Sequence, residues 1–215
     1  MERRSGFLIA FEGIDGCGKS TQAELLCNRL KEAGIQHTLV REPGSTPVAE
    51  AVRSVLLHAT QYQLVPETEL LLYLAARADL YRRQVLPDLE KGLVVVSDRC
   101  FWSSVAYQGA GLGIGVEQTR KLCLFAVAGR EPDLVILLDI PLAEAAKRHT
   151  GAPDRIESRS EDYLLRVREA FLTQAAGAAE TTLLLDGTRP PQEIGEAVWQ
   201  RVRELLKLPA QRKPQ

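Results

Sequence analysis

The sequence lacks the features that mark zinc proteins, secreted proteins and membrane proteins. Its four cysteines form no C-x-x-C pair and no cluster with the three histidines, which argues for free thiols in a reducing compartment and against structural zinc. No apolar run approaches the roughly 20 residues that a membrane helix requires. Residues 1–5 lead directly into an apolar segment, so we expect no signal peptide. These absences predict a cytoplasmic protein.

An excess of either charge is also lacking. The 27 basic and 28 acidic side chains leave a net charge of −1, which argues against a nucleic-acid or anionic-membrane partner. A small anionic substrate would then need a local group of arginines. The 215 residues suffice for one domain with a large core. We predict a single domain over 1–215 with a polar tail at 209–215.

Apolar runs alternate with segments of helical periodicity. The strand-like runs cover 7–12, 37–41, 93–97, 134–139 and 182–186. The helical segments cover 20–33, 47–57, 67–90, 116–128, 158–175 and 191–206. This alternation predicts parallel strands joined by right-handed crossovers, and the near-continuous apolar strands predict a sheet covered on both faces. We therefore predict an α/β fold of three layers with a five-stranded parallel sheet, whose ligands bind at the carboxyl edge of the strands.

The first strand-like run leads directly into a glycine-rich loop with the spacing G-x-x-x-x-G-K-S. Such a loop turns successive backbone N–H groups around a polyphosphate, and the following helix directs its positive end at the same phosphates. Lys19 is expected to reach the β and γ phosphates, and the Ser20 hydroxyl to bind Mg²⁺ that arrives with ATP. The predicted ATP-binding residues of this loop are Gly13, Ile14, Asp15, Gly16, Cys17, Gly18, Lys19, Ser20 and Thr21.

Polar residues at other strand ends suggest the rest of a site. Asp98 closes the third run, where a carboxylate would serve Mg²⁺, and Arg99 beside it is a candidate anion clamp. Arg53, one helix after the second run, could bind a phosphate in bidentate fashion. Asp15 would oppose the charge of a polyphosphate, so either it points to a hydroxyl of a second substrate or it caps the following helix.

Two helical segments carry side chains suited to a heterocycle. If 102–108 is helical, Ser104, Tyr107 and Gln108 share one face, which fits either a base with carbonyl and N–H edges or a capped, partly buried helix. Tyr73 and Arg77 are four residues apart on another helix and could stack on a base and hydrogen-bond it. Taken alone, Tyr73 is better explained as a core residue.

Four segments together resemble the bacterial thymidylate kinases, namely 11–21, 41–46, 98–109 and 154–157. The resemblance implies a P-loop nucleoside monophosphate kinase fold, a homodimer, and phosphorylation of dTMP to dTDP with MgATP. It implies a catalytic role for Lys19, Arg99, Arg148 and Arg155. It implies dTMP binding by Asp15, Glu42, Pro43, Arg53, Tyr73, Arg77, Arg99, Ser103, Ser104, Tyr107 and Gln108. It further implies a metal site at Ser20, Asp98 and Glu42, and an adenine contact at Arg148.

The segment 148–157 contains helix breakers and basic side chains, and we interpret it as a short lid rather than a solvated linker. In one subtype of the family the arginine that assists transfer follows the acidic residue of the loop. Here Gly16 stands at that position, so the resemblance implies an arginine supplied from the lid. Only Arg148 and Arg155 flank its centre.

Two other functions remain open from the sequence. One is a nucleoside or nucleoside monophosphate kinase with a different acceptor. The other is a nucleotide-dependent switch protein, although residues 137–141 stand where guanine-reading switches carry Asn-Lys-x-Asp. None of the histidines is paired with a nucleophile in the sequence, which agrees with phosphoryl transfer by positioning and charge neutralisation.

Overall fold

The protein is described by a computed structural model that covers residues 6–58, 62–148, 155–156 and 158–208. A sheet of five parallel strands lies between helices, in the order β2-β3-β1-β4-β5. The strands are β1 Phe7–Glu12, β2 His37–Arg41, β3 Val94–Asp98, β4 Leu134–Asp139 and β5 Thr182–Asp186. The predicted α/β fold with a five-stranded parallel sheet is therefore confirmed, and β3 begins one residue later than predicted.

Helices fill the segments between the strands. They are α1 Lys19–Glu32, α2 Pro47–His58, α3 Pro66–Leu80, α4 Leu86–Glu90, α5 Phe101–Ser104, α6 Val116–Ala126, α7 Leu142–Arg148, α8 Glu161–Gly177 and α9 Pro191–Leu205. The helix α7 lies outside the predicted helical segments. The helix α8 begins later than predicted because the Ser160 hydroxyl accepts a hydrogen bond from the Tyr163 N–H and caps its first turn.

The apolar character of the strands places the core on both faces of the sheet. Ile9 of β1 and Val96 of β3 lie beside each other and are fully buried on one face, whereas Leu8 and Val95 lie beside each other and are fully buried on the opposite face. In register, Phe11 lies beside Asp98 on one side and Ile136 on the other. The central strand β1 therefore delivers the glycine-rich loop to the middle of the carboxyl edge, next to the polar end of β3.

Two segments that were predicted as continuous helix contain a wider turn. The predicted helix 67–90 is divided into α3, a π-helical turn at Tyr81–Val85, and α4. Pro87 has no backbone N–H with which to continue the α-helical pattern, and the wide turn ends two residues before it. The predicted helix 102–108 is the short α5 followed by a π-helical turn at Val105–Gly111.

The other predictions about organisation remain predictions. Most of the predicted lid, 149–154 and 157, and the predicted tail 209–215 lie outside the described residues. The single domain over 1–215 likewise stays a prediction. Among the described residues, the longest apolar helical stretch falls short of what a membrane span requires.

Candidate active site

The glycine-rich loop turns sharply between β1 and α1, and glycine is required at two of its positions. Gly13 has a φ of 136°, and a Cβ there would stand 2.4 Å from the Leu138 carbonyl oxygen. Gly16 has a φ of 79°, and a Cβ there would stand 2.8 Å from the Ala145 carbonyl oxygen. Any larger residue would be both strained and in collision with backbone. Glycine at these two positions therefore allows the tight turn that leads from β1 into α1.

Lys19 lies at the first position of α1 with its side chain largely buried against the loop. Its Nζ donates to the Ile14 carbonyl oxygen at 2.9 Å and lies 3.8 Å from Asp15 Oδ1. The lysine therefore holds a fixed positive charge at the N-terminal end of the helix, where an anion is also favoured by the helix dipole.

Two neighbouring cavities open at the carboxyl edge of the sheet. The large cavity, of about 810 Å³, is lined by Asp15, Gly16, Cys17, Gly18, Lys19, Ser20, Thr21, Gln22, Arg41, Glu42, Arg53, Asp98, Arg99, Arg148, Gly187, Thr188, Arg189, Pro190, Pro191 and Ile194. The small cavity, of about 80 Å³, is lined by Asp15, Glu42, Pro43, Arg53, Leu57, Tyr73, Arg99, Ser103, Ser104, Tyr107, Gln108 and Ile156. The residues common to both are Asp15, Glu42, Arg53 and Arg99. The boundary between the cavities thus carries two arginines and two carboxylates.

Most residues predicted to bind ATP line the large cavity, as Asp15 to Thr21 and Arg148 do. Gly13 and Ile14 line neither cavity, and their carbonyl oxygens accept from Arg99 and Lys19 respectively. The loop Gly187–Pro191 after β5 also lines this cavity and was not predicted. The rule that ligands bind beyond strand ends would have marked it, since it follows the fifth strand directly.

Oxygen donors suited to a hard cation meet beside the glycine-rich loop. Ser20 at the start of α1 donates its hydroxyl to Asp98 Oδ2 at the end of β3, over 2.6 Å. The described residues contain no group of three or more histidine, cysteine, aspartate or glutamate side chains arranged to hold a metal. A hydroxyl and one carboxylate fit Mg²⁺ when it shares its coordination with substrate phosphates and waters.

Asp15 connects the two cavities through hydrogen bonds. It accepts from the Arg99 guanidinium through Oδ1 and from the Tyr107 hydroxyl through Oδ2, the latter at 3.1 Å. Burial acts to raise the pKa of Asp15, but the charges of Arg99 and Lys19 and the bond from Tyr107 outweigh it and lower the pKa to about 2. Asp15 is therefore an ionised acceptor at neutral pH.

Arg99 follows β3 in a left-handed backbone conformation, with a φ of 76°. This turn brings its Nη1 to 3.2 Å from the Gly13 carbonyl oxygen and 3.0 Å from Ser103 Oγ. Its guanidinium also lies 5.4 Å from the centre of the Tyr107 ring. A non-glycine residue in this conformation carries a strain cost of order 1–3 kcal/mol, which such contacts must offset.

Glu12, which was not among the predicted site residues, joins the glycine-rich loop to the segment after β3. Its buried carboxylate accepts from the N–H groups of Cys100 and Ser103, at 2.8 and 2.9 Å, and from the Ser103 hydroxyl at 2.7 Å. It thus caps α5 and fixes that helix against the end of β1. The sequence feature that could have revealed this role is a glutamate at the end of an apolar strand.

Glu42 and Arg77 form a buried ion pair below the boundary of the cavities. Arg77 Nε donates to Glu42 Oε2 at 2.5 Å, and its Nη1 donates to Ser104 Oγ at 3.0 Å. Burial raises the pKa of Glu42 against the lowering effect of Arg77. The other oxygen, Oε1, is buried without a hydrogen-bond partner. Arg77 is not among the lining residues of either cavity, so the structure places this predicted base reader beneath the small cavity.

The two predicted lid arginines lie in different places. Arg148 lines the large cavity, where its Nη1 donates to the Gly187 carbonyl oxygen at 2.9 Å. Arg155 instead donates to the Leu56 carbonyl oxygen at 2.9 Å and pairs with Glu69 at 3.0 Å. Arg155 lines neither cavity, so the structure does not bring it together with the glycine-rich loop.

Comparison with known proteins identifies the family. The thymidylate kinase family profile matches residues 11–198, which include the lining residues of both cavities. The chain belongs to the thymidylate kinase family.

Individual members of the family cover almost the whole chain. A thymidylate kinase from Kosmotoga olearia is 41% identical over 200 residues, which is 92% of this chain and 94% of the relative. One from Caldanaerobacter subterraneus is 40% identical over 203 residues, covering 94% and 97%. One from Desulforudis audaxviator is 42% identical over 204 residues, covering 94% and 92%. The resemblance inferred from four segments therefore extends over the family domain.

Proposed function

We propose that the protein is a cytoplasmic dTMP kinase, which transfers the γ-phosphoryl group of ATP to dTMP and releases dTDP and ADP for dTTP synthesis. One observation carries the proposal. Two cavities, one built on a glycine-rich loop and one lined by an aromatic ring and an amide, meet at Asp15, Arg53 and Arg99. That arrangement suits two nucleotides bound with their phosphates end to end.

The large cavity is the proposed ATP site. The glycine-rich loop and Lys19 would hold the polyphosphate, with Lys19 adding a fixed charge near the β and γ phosphates. Arg148 and the loop Gly187–Pro191 lie in the same cavity, on α7 and after β5. They are placed to enclose the adenosine end, and Arg148 is the proposed lid arginine.

Mg²⁺ is the proposed cofactor, and the residues present fit it. Ser20 and Asp98 offer adjacent oxygen donors, and Glu42 Oε1 is a buried acceptor without a protein partner. Ser20 would bind the ion directly, while Asp98 and Glu42 would hold its waters. The ion supplies charge neutralisation for the phosphates when bound.

The small cavity is the proposed dTMP site. Arg53 and Arg99 would hold the monophosphate at the boundary of the cavities, and Asp15 would accept the sugar 3′-hydroxyl. Tyr107, whose hydroxyl already donates to Asp15, would pack against the sugar. The remaining lining residues, Pro43, Tyr73, Ser103, Ser104 and Gln108, would surround the base.

The reaction needs no general base from the protein. The acceptor phosphate has a second pKa of about 6 and is largely dianionic at neutral pH. One of its oxygens forms the new bond to the γ phosphorus while the bond to the ADP oxygen breaks. The task of Lys19, Arg99 and Arg148 is to hold the two polyanions in line and to offset their mutual repulsion.

Turnover by the purified protein tests the proposal. Incubation with MgATP and dTMP should give dTDP and ADP in equal amounts, and chelation of Mg²⁺ should stop the reaction reversibly. Parallel incubations with dCMP, dGMP, dAMP and thymidine distinguish a kinase with another acceptor. A protein that hydrolyses ATP slowly and transfers phosphate to none of these acceptors would instead support a nucleotide-dependent switch.

We also propose that the protein is a homodimer through α3 and α6. These helices pack against each other, and α6 exposes Phe125 to 85% and α3 exposes Leu71 to 60%. Large apolar side chains at such exposure favour a partner surface. Phe125→Glu should convert a dimer to a monomer in light scattering, whereas Leu184→Glu on β5 should not. An unmodified protein that is monomeric at micromolar concentration would contradict the proposal.

A further inference from the structure

The amide of Gln108 is held by a carboxylate outside the set of residues assigned to substrate. Gln108 lines the small cavity, and its Nε2 donates to Glu69 Oε1 over 2.9 Å. Glu69 lies on α3 and is fully buried. An ionised carboxylate has only acceptor oxygens, so it must face the NH₂ end of the amide and never the carbonyl end. The chemistry of Glu69 thereby fixes the orientation of Gln108.

The other oxygen of Glu69 is engaged by two cations. Arg159 Nη2 lies 2.6 Å and Arg155 Nη1 lies 3.0 Å from Oε2. These guanidinium groups compensate the buried negative charge, which would otherwise be costly. Arg159 also donates to the Tyr163 hydroxyl at 2.6 Å, so its position is itself fixed. The two arginines therefore hold Glu69 through Oε2, which leaves Oε1 to accept from the Gln108 amide.

We propose that Glu69 is a positioning residue that sets the choice of pyrimidine, an inference that rests on the proposed dTMP kinase function. With Nε2 held by Glu69, Gln108 turns its carbonyl Oε1 toward the cavity as a hydrogen-bond acceptor. Thymine and uracil carry an N3–H that such an acceptor binds. Cytosine carries a lone pair at N3, which an acceptor repels. A Gln108 amide released from Glu69 can rotate and offer its NH₂ group to cytosine.

The test compares kcat and KM for dTMP, dUMP and dCMP at saturating MgATP. Glu69→Gln removes the obligatory acceptor with little change in shape, and Glu69→Asp keeps the charge but withdraws the oxygen from Gln108. We expect each variant to lower the dTMP-to-dCMP ratio of kcat/KM by tenfold or more. The loss should arise mainly in the KM for dTMP, while the KM for ATP stays within twofold. Glu67→Gln, an exposed position in the same first turn of α3, is the matched control and should leave the ratio unchanged.

A double-variant cycle separates positioning from a structural role. If Glu69 acts through Gln108, then Glu69→Gln made in a Gln108→Ala background should not alter the ratio further. An unchanged ratio in both Glu69 variants, with only a lower melting temperature, would overturn the inference. So would an equal effect of Glu69→Gln with and without Gln108. Should Glu69→Gln fail to fold, Glu69→Asp carries the same comparison. Failure of the unmodified protein to convert dTMP would overturn the proposed function instead.

Discussion

Replacement of Lys19 by methionine tests the central electrostatic claim about the site. The lysine Nζ donates a hydrogen bond to the Ile14 carbonyl oxygen and a weak one to Cys17 Sγ at 3.7 Å, and it forms a longer ion pair with the partly exposed Asp15. Loss of a charged hydrogen bond costs about 1.5–3 kcal/mol, and a partly exposed ion pair adds at most about 1 kcal/mol. A domain with a typical stability of about 5–15 kcal/mol therefore remains folded. The methylene chain of methionine fills most of the same space.

The effect on transfer should be much larger than the effect on folding. Removal of one positioned donor from a site where negative charge develops costs about 10²–10³ in kcat. We therefore expect Lys19→Met to lose at least a hundredfold in dTDP formation, measured by coupled ADP release, with a melting temperature lowered by about 3–16 °C. Lys31→Met, at the exposed end of the same helix, is the control and should keep full activity. A folded Lys19→Met protein with turnover within tenfold of the original would refute the reasoning.

Three further predictions concern the buried ion pair, the base and the pH. Arg77→Ala leaves Glu42 buried without its partner and should cost about 3–5 kcal/mol in the free energy of unfolding, measured by urea denaturation; a loss below 1 kcal/mol would contradict the buried pairing. The missing methyl group of uracil is worth only about 1–3 kcal/mol, so dUMP should be a substrate with kcat/KM about 10–200-fold below that of dTMP, and complete rejection would point to a further reader of the methyl. Because the pKa of Asp15 is lowered to about 2 from an ordinary 3.8, its contribution to stability is present above that ordinary value and is lost only as the pH falls toward 2. Between pH 5 and 8 the profile of kcat/KM should thus follow the dTMP phosphate with its pKa of about 6, and a lone inflection near pH 4 would contradict this assignment.

The sheet and its phosphate loop could be predicted from the sequence because local patterns determine them. Buried parallel strands are apolar along their whole length, and four of the five have the predicted boundaries. The wide turns at Tyr81–Val85 and Val105–Gly111 could not be predicted, since helical periodicity does not distinguish an i→i+5 turn from an α-helical one. The second of these turns contains Tyr107 and Gln108, so the positions of their side chains could not be predicted from helical periodicity either.

Residues whose partners are distant in the sequence could not be predicted. Glu12 and Glu69 were given no role, and Arg155 was predicted to act near the glycine-rich loop. Glu12 and Glu69 are acidic residues within helical or apolar segments, and only the fold brings them to their donors at Ser103 and Gln108. Arg155 lies close in sequence to Arg148, yet its guanidinium reaches back to α3 rather than to the glycine-rich loop. Spacing along a chain carries no information about such long-range pairing.

Every arginine and lysine around the large cavity already has a negatively charged or carbonyl partner within the protein. Arg41 is paired with Glu50 and Arg189 with Glu193. Backbone carbonyl oxygens accept from the others, namely Lys19, Arg53, Arg99 and Arg148. An arriving phosphate thus displaces an internal acceptor instead of meeting a bare cation. Phosphate binding therefore replaces one partner of each cation by another, so the net gain in free energy is smaller than the direct attraction between phosphate and cation. When the product nucleotide dissociates, the internal acceptors pair with the cations again.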